Sequence, residues 1–198
     1  MRRIELLAAA GAVLIGTQAL SAQTPPLALE LRGGYAIPTG DWNEDDTFEN
    51  GLGLGATVMA MATPQIGVYA GYEAFRFSVD EDEEEVDAHA TDAGFRAGIS
   101  LSANVPAYQN VTPFIEAGVI YNTLTIEASD GDASVDIESE ASIGFEAGVG
   151  FATTVAPRLS VVPVLRFRTH DVEFDLEGLE GSDTVQYVIV GLGVRLSL

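Results

Sequence analysis

The chain has 198 residues, 30 acidic against 9 basic, a formal net charge of -21 and no cysteine. That length suits one domain. The missing cysteine excludes disulfides and thiolate metal sites, and the acidic balance argues against nucleic acid, whose phosphates need a basic face. All nine basic residues are arginine, and 47% hydrophobic residues with 21 glycines set the chain apart from acidic disordered sequences.

The first segment reads as an export signal. Arg2 and Arg3 precede an apolar run from Leu6 to Leu20, and Leu20-Ser21-Ala22 supplies a small residue before Gln23. Cleavage after Ala22 is expected, which leaves residues 23–198 as one domain. No later run of 18 apolar residues suggests a transmembrane helix. Period-two alternation instead predicts eight strands: Leu27–Pro38, Gly51–Ala62, Gln65–Val79, Thr91–Ala103, Thr112–Glu127, Ala141–Thr153, Leu159–His170 and Val185–Leu198. Three connections are short or carry proline: Thr63-Pro64, Asn104–Val111 and Thr154–Arg158. Four are longer and acidic: Thr39–Asn50, Asp80–Ala90, Ala128–Glu140 and Asp171–Thr184. Short turns at one rim and long loops at the other predict an all-β, antiparallel up-and-down transmembrane barrel of eight strands, with periplasmic turns and acidic extracellular loops.

The two faces of each predicted strand differ in kind. In the sixth, Ile143, Phe145, Ala147, Val149 and Phe151 oppose Gly144, Glu146, Gly148 and Gly150; in the last, Val188, Val190, Leu192, Val194, Leu196 and Leu198 oppose Tyr187, Ile189, Gly191, Gly193, Arg195 and Ser197. A solvated strand face rarely carries glycine, which weakens strands without return. A narrow lumen needs it, because side chains from many strands converge there. The apolar faces are therefore expected to meet lipid and the polar faces to line the interior. Hairpins folded about their mean positions bring Glu73, Arg96, Glu116, Glu146 and Arg166 near one level, with Glu30, Arg32, Arg168 and Arg195 extending the set. Arginine suits such a network, since its planar fork pairs with carboxylates and stays charged. An eight-stranded barrel is only wide enough for side chains, so the lumen is expected to be filled and non-conducting.

At Gly34-Tyr35-Ala36-Ile37-Pro38-Thr39-Gly40-Asp41-Trp42, and again at Thr112-Pro113-Phe114-Ile115-Glu116-Ala117-Gly118, the sequence resembles the bacterial outer membrane protein β-barrel domain group (porin-family, OmpA/OmpX-like). The resemblance implies an eight-stranded barrel in the outer membrane of a bacterium, inserted by the barrel-assembly machinery among outer-membrane lipid and lipopolysaccharide. The last residue is Leu198, where such proteins commonly end in phenylalanine.

The functional expectation is a structural or adhesin-like surface barrel, monomeric, with no cofactor, no metal centre and no enzymatic activity. Two other readings stand beside it. A lipid-A-modifying enzyme would need a nucleophile and a base near the outer rim; His89 and His170 are placed there, but no serine stands in an obvious pair with either. A soluble lipocalin-like binder would have an apolar interior and its charged strand residues outside. The acidic stretches Asp80–Glu85 and Asp130-Gly131-Asp132 offer oxygen ligands for weak divalent cation binding, without the spacing of an EF-hand. Asn110-Val111-Thr112 has the form of a glycosylation sequon but falls at a periplasmic turn.

Overall fold

A computed structural model of the chain describes residues 26–40, 48–79, 87–106, 110–129, 134–176 and 179–198. The predicted signal segment, with its cleavage after Ala22, lies outside them, as do Asp80–Glu85 and Asp130-Gly131-Asp132. The strands are β1 Leu27–Pro38, β2 Phe48–Met61, β3 Ile66–Val79, β4 Asp87–Ser102, β5 Val111–Ser129, β6 Ser134–Glu138, β7 Ser142–Ala156, β8 Leu159–Leu176 and β9 Leu179–Ser197. Every pairing is antiparallel, and β1 closes onto β9. Eight strands make the wall. The short β6 pairs only with the outer end of β5, from Thr125 to Ser129. Among the described residues no helix is long and apolar enough to cross a membrane; strands of 12 to 19 residues do so.

The cross-strand register fixes the tilt. Partners run Ala28, Met59, Tyr69, Gly98, Gly118, Glu146, Arg168, Tyr187 and return to β1 at Pro38, ten residues from the start. Stagger of this size tilts the strands and brings side chains far apart in sequence to one depth. All four long connections also carry strand that the alternation does not announce, the first from Phe48 and the second from Asp87. β6 lies within the third, and β8 and β9 extend until Leu176 pairs with Leu179, across most of the segment expected as a loop.

The alternation lands as expected. Phe95, Phe145, Ile143, Leu192 and Val190 are exposed, whereas Arg96, Glu146 and Tyr187 are buried. This is the inverse of a soluble lipocalin-like binder, whose apolar face would be inside. Glycines on the inner face leave room for their neighbours: a Cβ on Gly118 would lie 2.5 Å from the Tyr69 hydroxyl and 2.4 Å from the Ala97 carbonyl oxygen.

The turns at the closed rim use local chemistry. Thr63 Oγ1 accepts from the Gln65 and Ile66 amides at 3.2 and 3.0 Å, bending the chain before Pro64. At the β7–β8 turn Pro157 precedes Arg158, whose φ is 66°, the left-handed region that costs a side chain energy. Arg158→Gly is expected to raise stability by up to about 1 kcal/mol, the relief being offset in part by greater freedom of the unfolded chain. The midpoint of urea unfolding in lipid would report it; a lower midpoint would show that the arginine side chain contributes more than the strain removes.

Candidate functional site

The inner face divides by depth into three layers. Toward the long connections lies an apolar cluster built on Phe75, Phe77, Leu124, Val172, Val185 and Tyr187. Toward the short turns lie two smaller ones, Phe114 with Ala152, Val162 and Val164, and Ala28 with Met59 and Tyr69. The charged residues fall between them. On β3, Glu73 stands between Tyr69 and Phe75; on β8, Arg166 and Arg168 stand between Val164 and Val172.

All nine expected charged residues are in this interior. Arg96 Nη2 donates to Glu146 Oε1 at 2.5 Å and to Glu116 Oε1 at 3.2 Å, and Arg96 Nη1 stands 3.6 Å from Glu73. Arg166 takes Glu73 bidentately at 2.8 and 3.0 Å and reaches Glu146 at 3.2 Å. Arg168 Nη2 donates to Glu73 at 2.7 Å and to Glu146 at 3.1 Å. Arg32 joins Glu30 to Glu116, the latter at 3.0 Å, and Arg195 Nε donates to Glu30 at 2.8 Å. One connected set of ion pairs thus runs from β1 across to β8. The neighbouring layers hold it through ring faces as well: the Arg96 guanidinium lies 4.5 Å from the Tyr69 ring centre, that of Arg168 5.6 Å from Phe75, and that of Arg195 5.4 Å from Phe114.

The pairings differ from those that hairpin arithmetic suggests. Arg96 is opposite Ile120, with Glu116 opposite Ser100; Glu146 is opposite Arg168, with Arg166 opposite Gly148. Register slips of two and four residues preserve which face a side chain takes but change its neighbour. The shortest contact of Arg96 is accordingly across the lumen to Glu146, a partner outside its own hairpins.

Several participants escape the sequence reading. Asp92 looks like a flank of the second acidic loop, yet it is fully buried and accepts from Tyr187 Oη at 2.5 Å and from Asn122 Nδ2 at 2.8 Å. It supplies a fifth carboxylate against the five arginines of the network. Tyr69 Oη donates to Glu146 at 2.8 Å. His170, expected at the rim, is buried with Nε2 3.5 Å from Asp92 Oδ1. The signal that identifies Asp92 and Tyr187 is parity alone: both fall on the inward positions of their strands.

The outer rim holds one arrangement relevant to catalysis. Register sets Ser78 directly opposite His89, and His89 opposite Glu127, so a serine does neighbour a histidine where none was expected to. Among the described residues no hydrogen bond joins Ser78 to His89 and no ion pair joins His89 to Glu127. Among the described residues no group of three or more His, Asp or Glu side chains is disposed to hold a metal ion.

The family profile described as "Outer membrane protein beta-barrel domain" matches residues 6–196. Among solved structures the chain is similar to Neisserial surface protein A, with a TM-score of 0.59 at 14% identity over 87% of this chain and 97% of that one. It is similar to a major outer membrane protein of Thermus thermophilus, with a TM-score of 0.56 at 15% identity over 87% and 99%. It is also similar to Ail, the attachment invasion locus protein of Yersinia pestis, with a TM-score of 0.52 at 12% identity over 88% and 100%. At these identities the likeness establishes the fold and nothing finer. No curated protein matches the chain in sequence.

Proposed function

Because this chain belongs to the outer membrane protein β-barrel domain family, we propose that it is a structural and surface-presenting barrel of the bacterial outer membrane whose lumen passes no solute. Residues 1–22 direct export and are removed, the barrel-assembly machinery inserts the rest as a monomer, and the acidic connections face away from the cell. The observation that carries this reading is the ion-paired layer held between apolar clusters. Arg166, Arg168 and Glu146 are each 3% exposed or less, and each is already ion-paired within the network, so no free charge at that level invites a hydrated ion.

Planar bilayers test it. The purified protein is expected to give no large, steady single-channel currents; such currents would overturn the closed lumen. Fractionation of expressing cells should place the folded, heat-modifiable protein in the outer membrane, starting at or near Gln23. Recovery as a soluble periplasmic protein would overturn the location.

The surface role rests on charge. The outer connections concentrate carboxylates, as in Asp80–Asp87, so an adhesive partner carries positive charge and its binding weakens as ionic strength rises. Ail bears an attachment name on the same architecture, an analogy of fold that does not by itself transfer function.

A further inference from the structure

Five of the nine arginines are in the lumen network and two lie in the predicted signal. Arg158 is in a turn at the closed rim. That leaves Arg76, which is on β3 with its side chain outward and exposed. Its cross-strand partners are Leu52 and Thr91, and among the described residues it makes no ion pair or side-chain hydrogen bond. An unpaired guanidinium on the outside of a membrane barrel, two residues from the expected lipid band, calls for an explanation.

Its surroundings supply one. Toward the membrane, Arg76 heads an open groove of about 630 Å³ walled by Leu52 and Leu54 and floored by Gly33 and Ala74. Leu54 has a small residue on either side, Gly33 on β1 and Ala74 on β3, so the surface is hollow beside it. Away from β2, the outward positions of β4 and β5 at this level are hydroxyl-bearing: Thr91 beside Arg76, Thr125 opposite Thr91, and Thr123 below it. Tyr35, partner of Leu52 and exposed, marks the depth at which aromatic rings mix with headgroups. An apolar groove leads up to one cation, and the cation is flanked by hydroxyls.

We propose that this outward site binds a phosphorylated, sugar-headed acyl lipid of the outer leaflet, with Arg76 on the phosphate, the threonine row beside the sugar and acyl chains in the Leu52–Leu54 groove. The match is one of charge and polarity. Arg76 is the only cationic side chain among the described outward positions above the apolar band, where the other charged side chains, Asp171 and Glu127 among them, are acidic and repel phosphate. A guanidinium also presents its donors in the fork that phosphate oxygens accept. The hydroxyl row favours a sugar over a glycerophosphate head. The inference rests on the outer-membrane placement proposed above, with the long connections outward.

The test is lipid retention by the folded protein. Full-length protein expressed in a Gram-negative host is extracted from outer membranes, and bound lipid per barrel is measured by mass spectrometry. Purified barrels are then offered lipid A, lipid A stripped of its phosphates, phosphatidylglycerol and inorganic phosphate. The native protein should retain lipid A in preference to its dephosphorylated form and to phosphatidylglycerol. Arg76→Ala should reduce retention about fivefold, the equivalent of one interfacial cation, Arg76→Lys should restore most of it, and Arg158→Ala should leave it unchanged. Equal retention by Arg76→Ala, or equal retention of dephosphorylated lipid A, would overturn the proposal. A preference for phosphatidylglycerol would overturn the sugar-headed assignment, and competition by inorganic phosphate at equal concentration would show an anion site indifferent to lipid. If Arg76→Ala fails to fold, the comparison of lipids on the native protein still decides. Failure of these arms in a protein that fractionates with the outer membrane sinks this site alone; fractionation elsewhere sinks the placement.

Discussion

Arg96→Ala is expected to lower the unfolding free energy in lipid by about 3–5 kcal/mol, the cost of stranding a buried charge partner. The guanidinium reaches Glu146, Glu116 and Glu73 at once. Removing it leaves Glu116 with Arg32 and the more distant Arg166, and leaves Glu146 with Arg166 and Arg168. Three carboxylates then share fewer cations where burial admits little water. The conservative Glu116→Gln should cost less, because the amide oxygen still accepts from Arg32 and Arg96 keeps Glu146. A paired replacement, Arg96→Met with Glu146→Leu, should recover part of the loss, since buried ion pairs exchanged for well-packed apolar groups are often neutral. The recovery stays partial because the Tyr69 hydroxyl loses its acceptor on Glu146. Urea unfolding in bilayers measures each variant. An Arg96→Ala effect no larger than that of removing a loop carboxylate such as Glu84 would place Arg96 in water and dissolve the network.

The same residues show what a sequence makes legible in a barrel. Period-two alternation survives any register, because parity alone decides whether a residue points in or out. Arg96, Glu146 and Arg168 could therefore be assigned to the lumen from the sequence, and the structure puts them there. Partner choice is a different quantity. It depends on where each hairpin folds, and the β4–β5 connection centres two residues later than its proline suggests, which moves Glu116 four places from Arg96. It depends also on the ten-residue stagger around the barrel, which no single hairpin contains. Hence the contact between Arg96 and Glu146, strands apart, was not readable.

Asp92 and His170 were missed for a third reason. Both fall at the outer ends of the expected strands Thr91–Ala103 and Leu159–His170, next to the acidic connections, and that proximity drew them to the loops. The strands extend past the apolar band, as β8 does to Leu176, so polar residues near a strand's outer end can still be inside. The outer apolar layer was hidden in the same way. Val172 and Val185 belong to segments that read as loop or strand end, yet both are fully buried against Phe77 and Tyr187.

The sharpest contrast between the two faces comes from adjacent residues on β5. Val119 points outward and is 48% exposed, with Ala97 and Phe145 as its cross-strand partners. Gly118 points inward, with Gly98 and Glu146 as partners. Val119→Arg sets a charge against hydrocarbon and is expected to cost roughly 2–4 kcal/mol near the midplane, whereas Val119→Ala removes only lipid contact and should be mild. At Gly118 the ordering reverses. Even alanine should be harmful there, by about 1–3 kcal/mol, because its Cβ would meet backbone oxygen at 2.4 Å and the Tyr69 hydroxyl at 2.5 Å. Displacing Tyr69 would also break its bond to Glu146 and its contact with the Arg96 guanidinium, so one methyl group disturbs the charged layer from two strands away. Folding yield on heat-modifiability gels and urea midpoints in the same lipid separate the three outcomes. If Val119→Arg folds with native stability while Val119→Ala does not, the outward face does not meet lipid. If Gly118→Ala is silent, the close packing around Tyr69 that sets the lumen's width is not what holds Gly98 and Gly118 as glycine.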